Sequence, residues 1–145
     1  MRIVYLTQSY PPMISGAAMF ARQLAEAMAE RGNQVLVITA SDEGQPYLLQ
    51  NENLTVLRLR SYNNPLRVGQ RFVFYPRRAL LKALREFQPD IIHTHEPLQM
   101  GTLGIEYAQE SCTPITLTNH QLPGSAVTYL PDRFGIRDMV ENTMW

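Results

Sequence analysis

Apolar residues in this chain fall either in short unbroken runs or at helical spacing, and the two kinds of segment alternate. Residues 1–7 (MRIVYLT) form an apolar run that Gln8-Ser9-Tyr10-Pro11-Pro12 ends, because paired prolines withdraw ladder donors. From residue 16 to 31 the apolar Phe20, Leu24, Ala27 and Met28 recur at i, i+4, i+7 and i+8. Arg22 and Glu26 stand one turn apart there, and Gly32 supplies a stop, which predicts an amphipathic helix. Residues 34–39 (QVLVIT) read as a buried strand. The polar stretch 41–53 reads as a loop.

Residues 54–60 (LTVLRLR) predict a strand with one exposed end, and residues 61–70 a second loop around Asn63-Asn64-Pro65. A helix is expected over 76–87, with Leu80, Leu84 and Phe87 on one face and Arg78, Lys82 and Arg85 on the other, closed by Pro89. Residues 90–95 (DIIHTH) form a strand, 100–111 a helix interrupted by Gly101 and Gly104, and 114–119 (PITLTN) a further strand. A loop over 121–131 and the start of a helix over 132–145 complete the reading. Strands that alternate with helices and are apolar throughout imply a parallel sheet covered on both faces, an α/β fold.

A length of 145 residues suits one domain. Lys plus Arg and Asp plus Glu both number 13, so bulk charge selects neither nucleic acid nor an acidic partner. The distribution is uneven: eight basic residues and no acid lie between Leu54 and Arg85. Arg71-Phe72-Val73-Phe74-Tyr75 adjoins Arg77, Arg78, Lys82 and Arg85, so cations and aromatics occur together as in interfacial segments, although a solvated helix face would look the same. The single Cys112 excludes an internal disulfide and suits a reducing, cytoplasmic setting. No leader pattern and no run long enough to span a bilayer is present, so any membrane contact is expected to be peripheral.

Three strand ends carry ligand-capable residues. Beyond the first lie Ser9 and Ser15-Gly16, beyond the fourth His93, His95 and Glu96, and beyond the fifth Asn119, His120 and Gln121. In a parallel sheet those ends share one edge, where open α/β folds place ligands, and a helix beginning at Gly16 turns its first N–H groups toward any anion there. GxGxxG is absent, since Gly16 is the only glycine among the first 31 residues, which argues against a dinucleotide enzyme. There is no P-loop and no GxSxG elbow. His93 and His95 share a strand face, as structural histidines or as ligands. No metal is assigned, and a metal-dependent hydrolase using His93, His95 and His120 stands as an alternative, as does a non-catalytic Rossmann-like binding module.

YPPMISGAAMFARQLAEAMAERGNQVLVIT, then PDIIHTHEP, then TPITLTNH with YLP shortly after, resemble in order and spacing the N-terminal half of retaining glycosyltransferases of family 4. That family has the GT-B architecture of two Rossmann-like domains facing a cleft, and HTHEP and YLP look most like its lipid glycosyltransferases. The resemblance implies that residues 1–145 are a single Rossmann-like acceptor-side domain, with a second, donor-binding domain outside them and little activity without it. It implies transfer of a hexose from a nucleotide sugar to a lipid or related acceptor with retention, no tightly bound cofactor, and no nucleic acid partner. The single cysteine and the basic segment together set the expectation of a cytoplasmic protein, peripheral at the inner face of an anionic membrane. His120 matches a histidine beside the transferred sugar, and Ser15 and Gly16 match the family's glycine-rich loop. His95, Glu96 and Gln121 fall on the acceptor side. Where this chain has Ser15-Gly16 the family usually has two glycines, and because serine tolerates positive φ poorly the backbone geometry at residue 15 is left open.

Overall fold

The structure is a computed structural model that describes residues 1–65, 70–96 and 99–120. Gln121, and the loop and helix expected over 121–145, lie outside the described residues. Along the chain run β1 (Arg2–Leu6), α1 (Gly16–Glu30), β2 (Gln34–Ala40), β3 (Tyr47–Asn51), β4 (Leu54–Leu59), β5 (Ser61–Asn63), β6 (Arg71–Val73), α2 (Arg77–Phe87), β7 (Ile91–Thr94), α3 (Gln99–Ser111) and β8 (Ile115–Leu117).

The main sheet has the order β3-β4-β2-β1-β7-β8. Five of its strands are parallel, and β3 pairs antiparallel with β4 at one edge. Taken without β3, the order is that of a Rossmann-like sheet, which reverses direction at β1. The sheet is therefore mixed, where a wholly parallel one was expected. The stretch 41–53 hid β3 because its polar residues and Gly44 resemble a loop, whereas Tyr47–Asn51 return along β4 through a turn at Glu52, whose φ is +40°. The second expected loop, 61–70, likewise opens with β5, which pairs antiparallel with β6 just beyond it.

Helices cover both faces, as expected. On one face Val4, Leu6, Leu36, Ile38 and Ile92 pack with Leu80, Leu81 and Leu84 of α2 and Met100, Tyr107 and Ala108 of α3. On the other, Ile3, Tyr5, Val35, Val37 and Val56 pack with Ala21 and Ala25 of α1. The buried stripe of α1 is Ala18, Ala21 and Ala25, with Leu24 and Met28 only partly covered. Small side chains let this helix lie close to the sheet and leave Phe20 half exposed above its edge.

Gly101 and Gly104, which interrupt the helical pattern of α3, have the same explanation. A Cβ on Gly101 would lie 2.1 Å from the Glu96 carbonyl oxygen, and one on Gly104 would lie 2.4 Å from Leu6 Cδ1. Both glycines face the sheet, where a side chain would hold the helix off.

Candidate functional site

Backbone hydrogen bonds lock the carboxyl ends of β1, β7 and β8 side by side. His95 N–H donates to Leu6 O at 2.9 Å, and Thr118 N–H donates to Thr94 O at 2.9 Å. Across the gap between β1 and β7, Gln8 N–H donates to the Glu96 carboxylate. This is the point where the sheet order reverses, and it is where the polar strand ends collect.

All three histidines of the chain stand here. His93 and His95, on the same face by strand alternation, stack with ring centroids 4.5 Å apart and planes 13° from parallel. His95 Nδ1 and His120 Nε2 are 3.1 Å apart. Their ring planes differ by 7° at a centroid separation of 5.4 Å, which fits rings joined edge to edge. Phe20 meets both His95 and His120 in T-shaped contacts, at 5.8 and 5.4 Å. Gly16 lies one turn before Phe20 on α1, which brings the start of that helix to the side of the two rings.

Their environments differ sharply. His95 is 3% exposed, and its Nε2 has no hydrogen-bond partner among the described residues. Burial, with smaller contributions from His93 and His120, lowers its pKa to about 4, so the ring is neutral at neutral pH. His93, lowered chiefly by burial, bonds Thr118 Oγ1 at 2.8 Å. Glu96 is shifted the other way: burial raises its carboxyl, against the opposing Gln8 N–H. His120 is exposed. Among the described residues no three His, Cys, Asp or Glu side chains stand where they could hold a metal ion together, so the hydrolase alternative finds no ligand set there.

The backbone at Ser15 is unstrained. Its φ of −157° and ψ of 156° are extended, and its hydroxyl accepts from Ala18 N–H at 3.1 Å, making it the N-cap of α1. The N–H groups of Gly16 and Ala17 then face out of the helix without an intrahelical acceptor. A Cβ on Gly16 would meet nothing within 4 Å.

Beyond the ends of β1, β2 and β4 lies a cleft of about 160 Å³ whose walls include Gln8, Tyr10, Ser41, Asp42, Arg58 and Arg71. Sequence reasoning missed it, having counted Arg58 only among the basic residues between Leu54 and Arg85. Arg58 is in fact 3% exposed. Its guanidinium donates to Ala40 O at 3.0 Å and to Pro11 O, stands 3.6 Å from Asp42, and lies against the rings of Tyr10 and Tyr47. Partial burial opposes charge on Asp42, yet the Tyr47 hydroxyl and the two arginines hold its carboxyl below the ordinary range. The available signal was an arginine in register with Val56 on a buried face, at the carboxyl end of a strand.

The basic face divides. Arg78, Lys82 and Arg85 project from α2 into solvent, opposite Leu80, Leu81 and Leu84. Lys82 stands 3.7 Å from Glu86, so the stripe is not free of acids. Arg77 is paired with Glu106 of α3. Arg71 does not belong to the stripe: it sits on β6, and its guanidinium donates to Ser61 Oγ at 2.8 Å and to Asn63. Phe74 and Tyr75, 56% and 81% exposed, precede α2. Among the described residues no helix is long and apolar enough to cross a membrane.

The fold is that of an α/β domain whose polar strand ends collect at the reversal point of a Rossmann-like sheet. The model of Glycosyltransferase Family 4 matches residues 14–139, and the chain belongs to that family. It is 29% identical over 137 residues to an alpha-monoglucosyldiacylglycerol synthase of Streptococcus pneumoniae (strain ATCC BAA-255 / R6), covering 94% of this chain and 30% of that protein. A synthase of the same name from Acholeplasma laidlawii is 29% identical over 122 residues, covering 83% and 30%. A GDP-mannose-dependent alpha-mannosyltransferase of Mycobacterium tuberculosis (strain CDC 1551 / Oshkosh) is 26% identical over 132 residues, covering 88% and 34%. The chain thus spans about a third of the length of these relatives.

Proposed function

We propose that these residues form the acceptor-side part of a glycosyltransferase that moves a hexose from a nucleotide sugar to a membrane lipid or related acceptor, with retention at the anomeric carbon. One observation carries the reading. In a chain that belongs to Glycosyltransferase Family 4, the three strand ends expected to build the site converge, with His95 bonded to His120 under Phe20. Two relatives are named as diacylglycerol glucosylating enzymes, which favours a lipid acceptor.

In this reading His120, exposed at the strand ends, hydrogen-bonds the transferred sugar. The outward N–H groups at Gly16, behind the Ser15 cap, face the anionic part of the donor, where the positive end of the α1 dipole favours it. His95 and Glu96 form the inner wall on the acceptor side, with Gln121 next to His120 in sequence. A donor-binding domain beyond these residues supplies the nucleotide site, and the fragment alone is inactive. The leaving diphosphate assists deprotonation of the acceptor on the front face of the sugar, so no side chain here is assigned as general base.

The protein works in the cytoplasm and meets the inner membrane face through Arg78, Lys82 and Arg85, with Phe74 and Tyr75 as the apolar edge of that contact. The decisive experiment joins the chain to its donor-binding domain and compares His120→Ala with wild type. Loss of at least about tenfold in kcat is expected for one hydrogen bond made in the transition state. Unchanged transfer would remove His120 from the mechanism.

A further inference from the structure

We infer that His95 is a positioning residue that fixes the ring tautomer of His120, so that His120 presents an Nδ1–H, rather than a lone pair, at the strand ends. The inference extends the role given to His120 above and rests on that reading only for its consequence in sugar transfer.

Two neutral imidazole nitrogens 3.1 Å apart form a hydrogen bond only if one carries the proton and the other offers its lone pair. Nearly parallel ring planes at 5.4 Å place the two nitrogens edge to edge, where such a bond is well aligned. The direction of the bond follows from the far side of His95. Its Nε2 is buried and has no partner among the described residues. If that nitrogen bore the proton, a buried N–H would be left without an acceptor, the rarer and costlier kind of orphan in folded proteins. With the proton on Nδ1, only a lone pair is left bare. His95 therefore donates, His120 Nε2 accepts, and the His120 proton sits on Nδ1.

The surroundings hold this arrangement. His93 stacks on one face of the His95 ring at 4.5 Å, and Tyr5 and Phe20 lie 5.8 Å from it. A ring so enclosed cannot turn over to exchange its nitrogens without displacing three neighbours. Burial keeps it uncharged, which is the state the argument needs.

The consequence concerns selectivity. Free histidine prefers its proton on Nε2, so His95 holds His120 in the less favoured tautomer. His120 then has a donor to offer, and the group it meets must supply an oxygen lone pair, as a sugar hydroxyl or a phosphate oxygen does. A protonated amine at that place would find no acceptor.

Because the chain has three histidines, selective nitrogen-15 labelling of histidine gives a spectrum that single substitutions assign. Proton–nitrogen correlation spectra are recorded at about pH 8, where imidazoles are neutral. The expected result is His120 protonated on Nδ1 in the wild type. That form should persist in His95→Asn, whose amide N–H takes the place of Nδ1–H, and the protonated-Nδ1 signal should be lost in His95→Leu. His120 protonated on Nε2 in the wild type would overturn the inference, and so would a His120 tautomer unmoved by His95→Leu. The spectra need no substrate, so this failure and failure of the sugar-transfer reading are separate results.

Discussion

Ser15 shows how one side chain can replace a conformational device with a chemical one. A glycine at that place would leave the first turn of α1 free to adopt unusual angles, whereas Ser15 keeps an extended backbone and satisfies Ala18 N–H. Ser15→Ala should lower stability by about 1 kcal/mol and Ser15→Gly by only a few tenths, read from urea midpoints at constant slope. His95 makes a second prediction. Its pKa falls from an ordinary 6.5 to about 4, so between those pH values the unfolded chain binds the proton and the folded one does not. The folded state is therefore favoured fully above pH 6.5 and loses that advantage as the pH drops toward about 4, by up to about 3 kcal/mol. Glu96, raised by burial, contributes in the opposite sense, losing stability as the pH rises through its folded value. Subtracting the His95→Asn curve from the wild type isolates the histidine, and a difference independent of pH would contradict the assignment. At this scale the strand-end histidines were legible because polar residues closing apolar runs stand out. Arg58 was not, because a charged residue in an alternating strand reads as solvent-facing until its neighbours Tyr10, Tyr47 and Asp42 are known.

Whole elements were read well where hydrophobic spacing was unambiguous. All three described helices and five parallel strands lie within a few residues of expectation, and the misses share a cause. Short strands β3, β5 and β6 pair through the backbone; the side chains of β3 and β5 are largely exposed and β6 buries only Val73, so no burial pattern marks them. The glycines of α3 weakened a correct reading for a related reason, since close approach of helix to sheet leaves no trace in periodicity. Gly101→Ala should destabilise strongly, by about 2 kcal/mol or more, because its Cβ would meet rigid backbone. Gly104→Ala should cost less, since the opposing atom is the tip of Leu6. Gly16→Ala should be neutral or stabilising by up to about 1 kcal/mol, having open space and a helical backbone. Thermal unfolding of the three variants checks this order, which an equal loss at all three positions would refute.

At the scale of the molecule, the reversal of strand order at β1 gathers three strand ends that are far apart in sequence; alternation implies a shared edge for those ends but not the order of the strands. The partition of the basic surface was not foreseeable, because it depends on which helices meet. Arg77 turns to Glu106 on α3, whereas Arg78, Lys82 and Arg85 stay outward. Replacing these three by alanine should weaken binding to anionic vesicles by about a hundredfold, at about 1 kcal/mol per charge, and raising salt should do the same. Sedimentation with anionic and neutral liposomes tests it, and equal binding to both would end the membrane proposal. Arg77→Ala should change binding far less.

The gathering of every imidazole at one place has a practical corollary. Acylating or photo-oxidising reagents selective for that ring can attack nowhere else in the chain, so protection from them by an added ligand would map occupancy of this place directly, with His120 reacting first and His95 sheltered behind it.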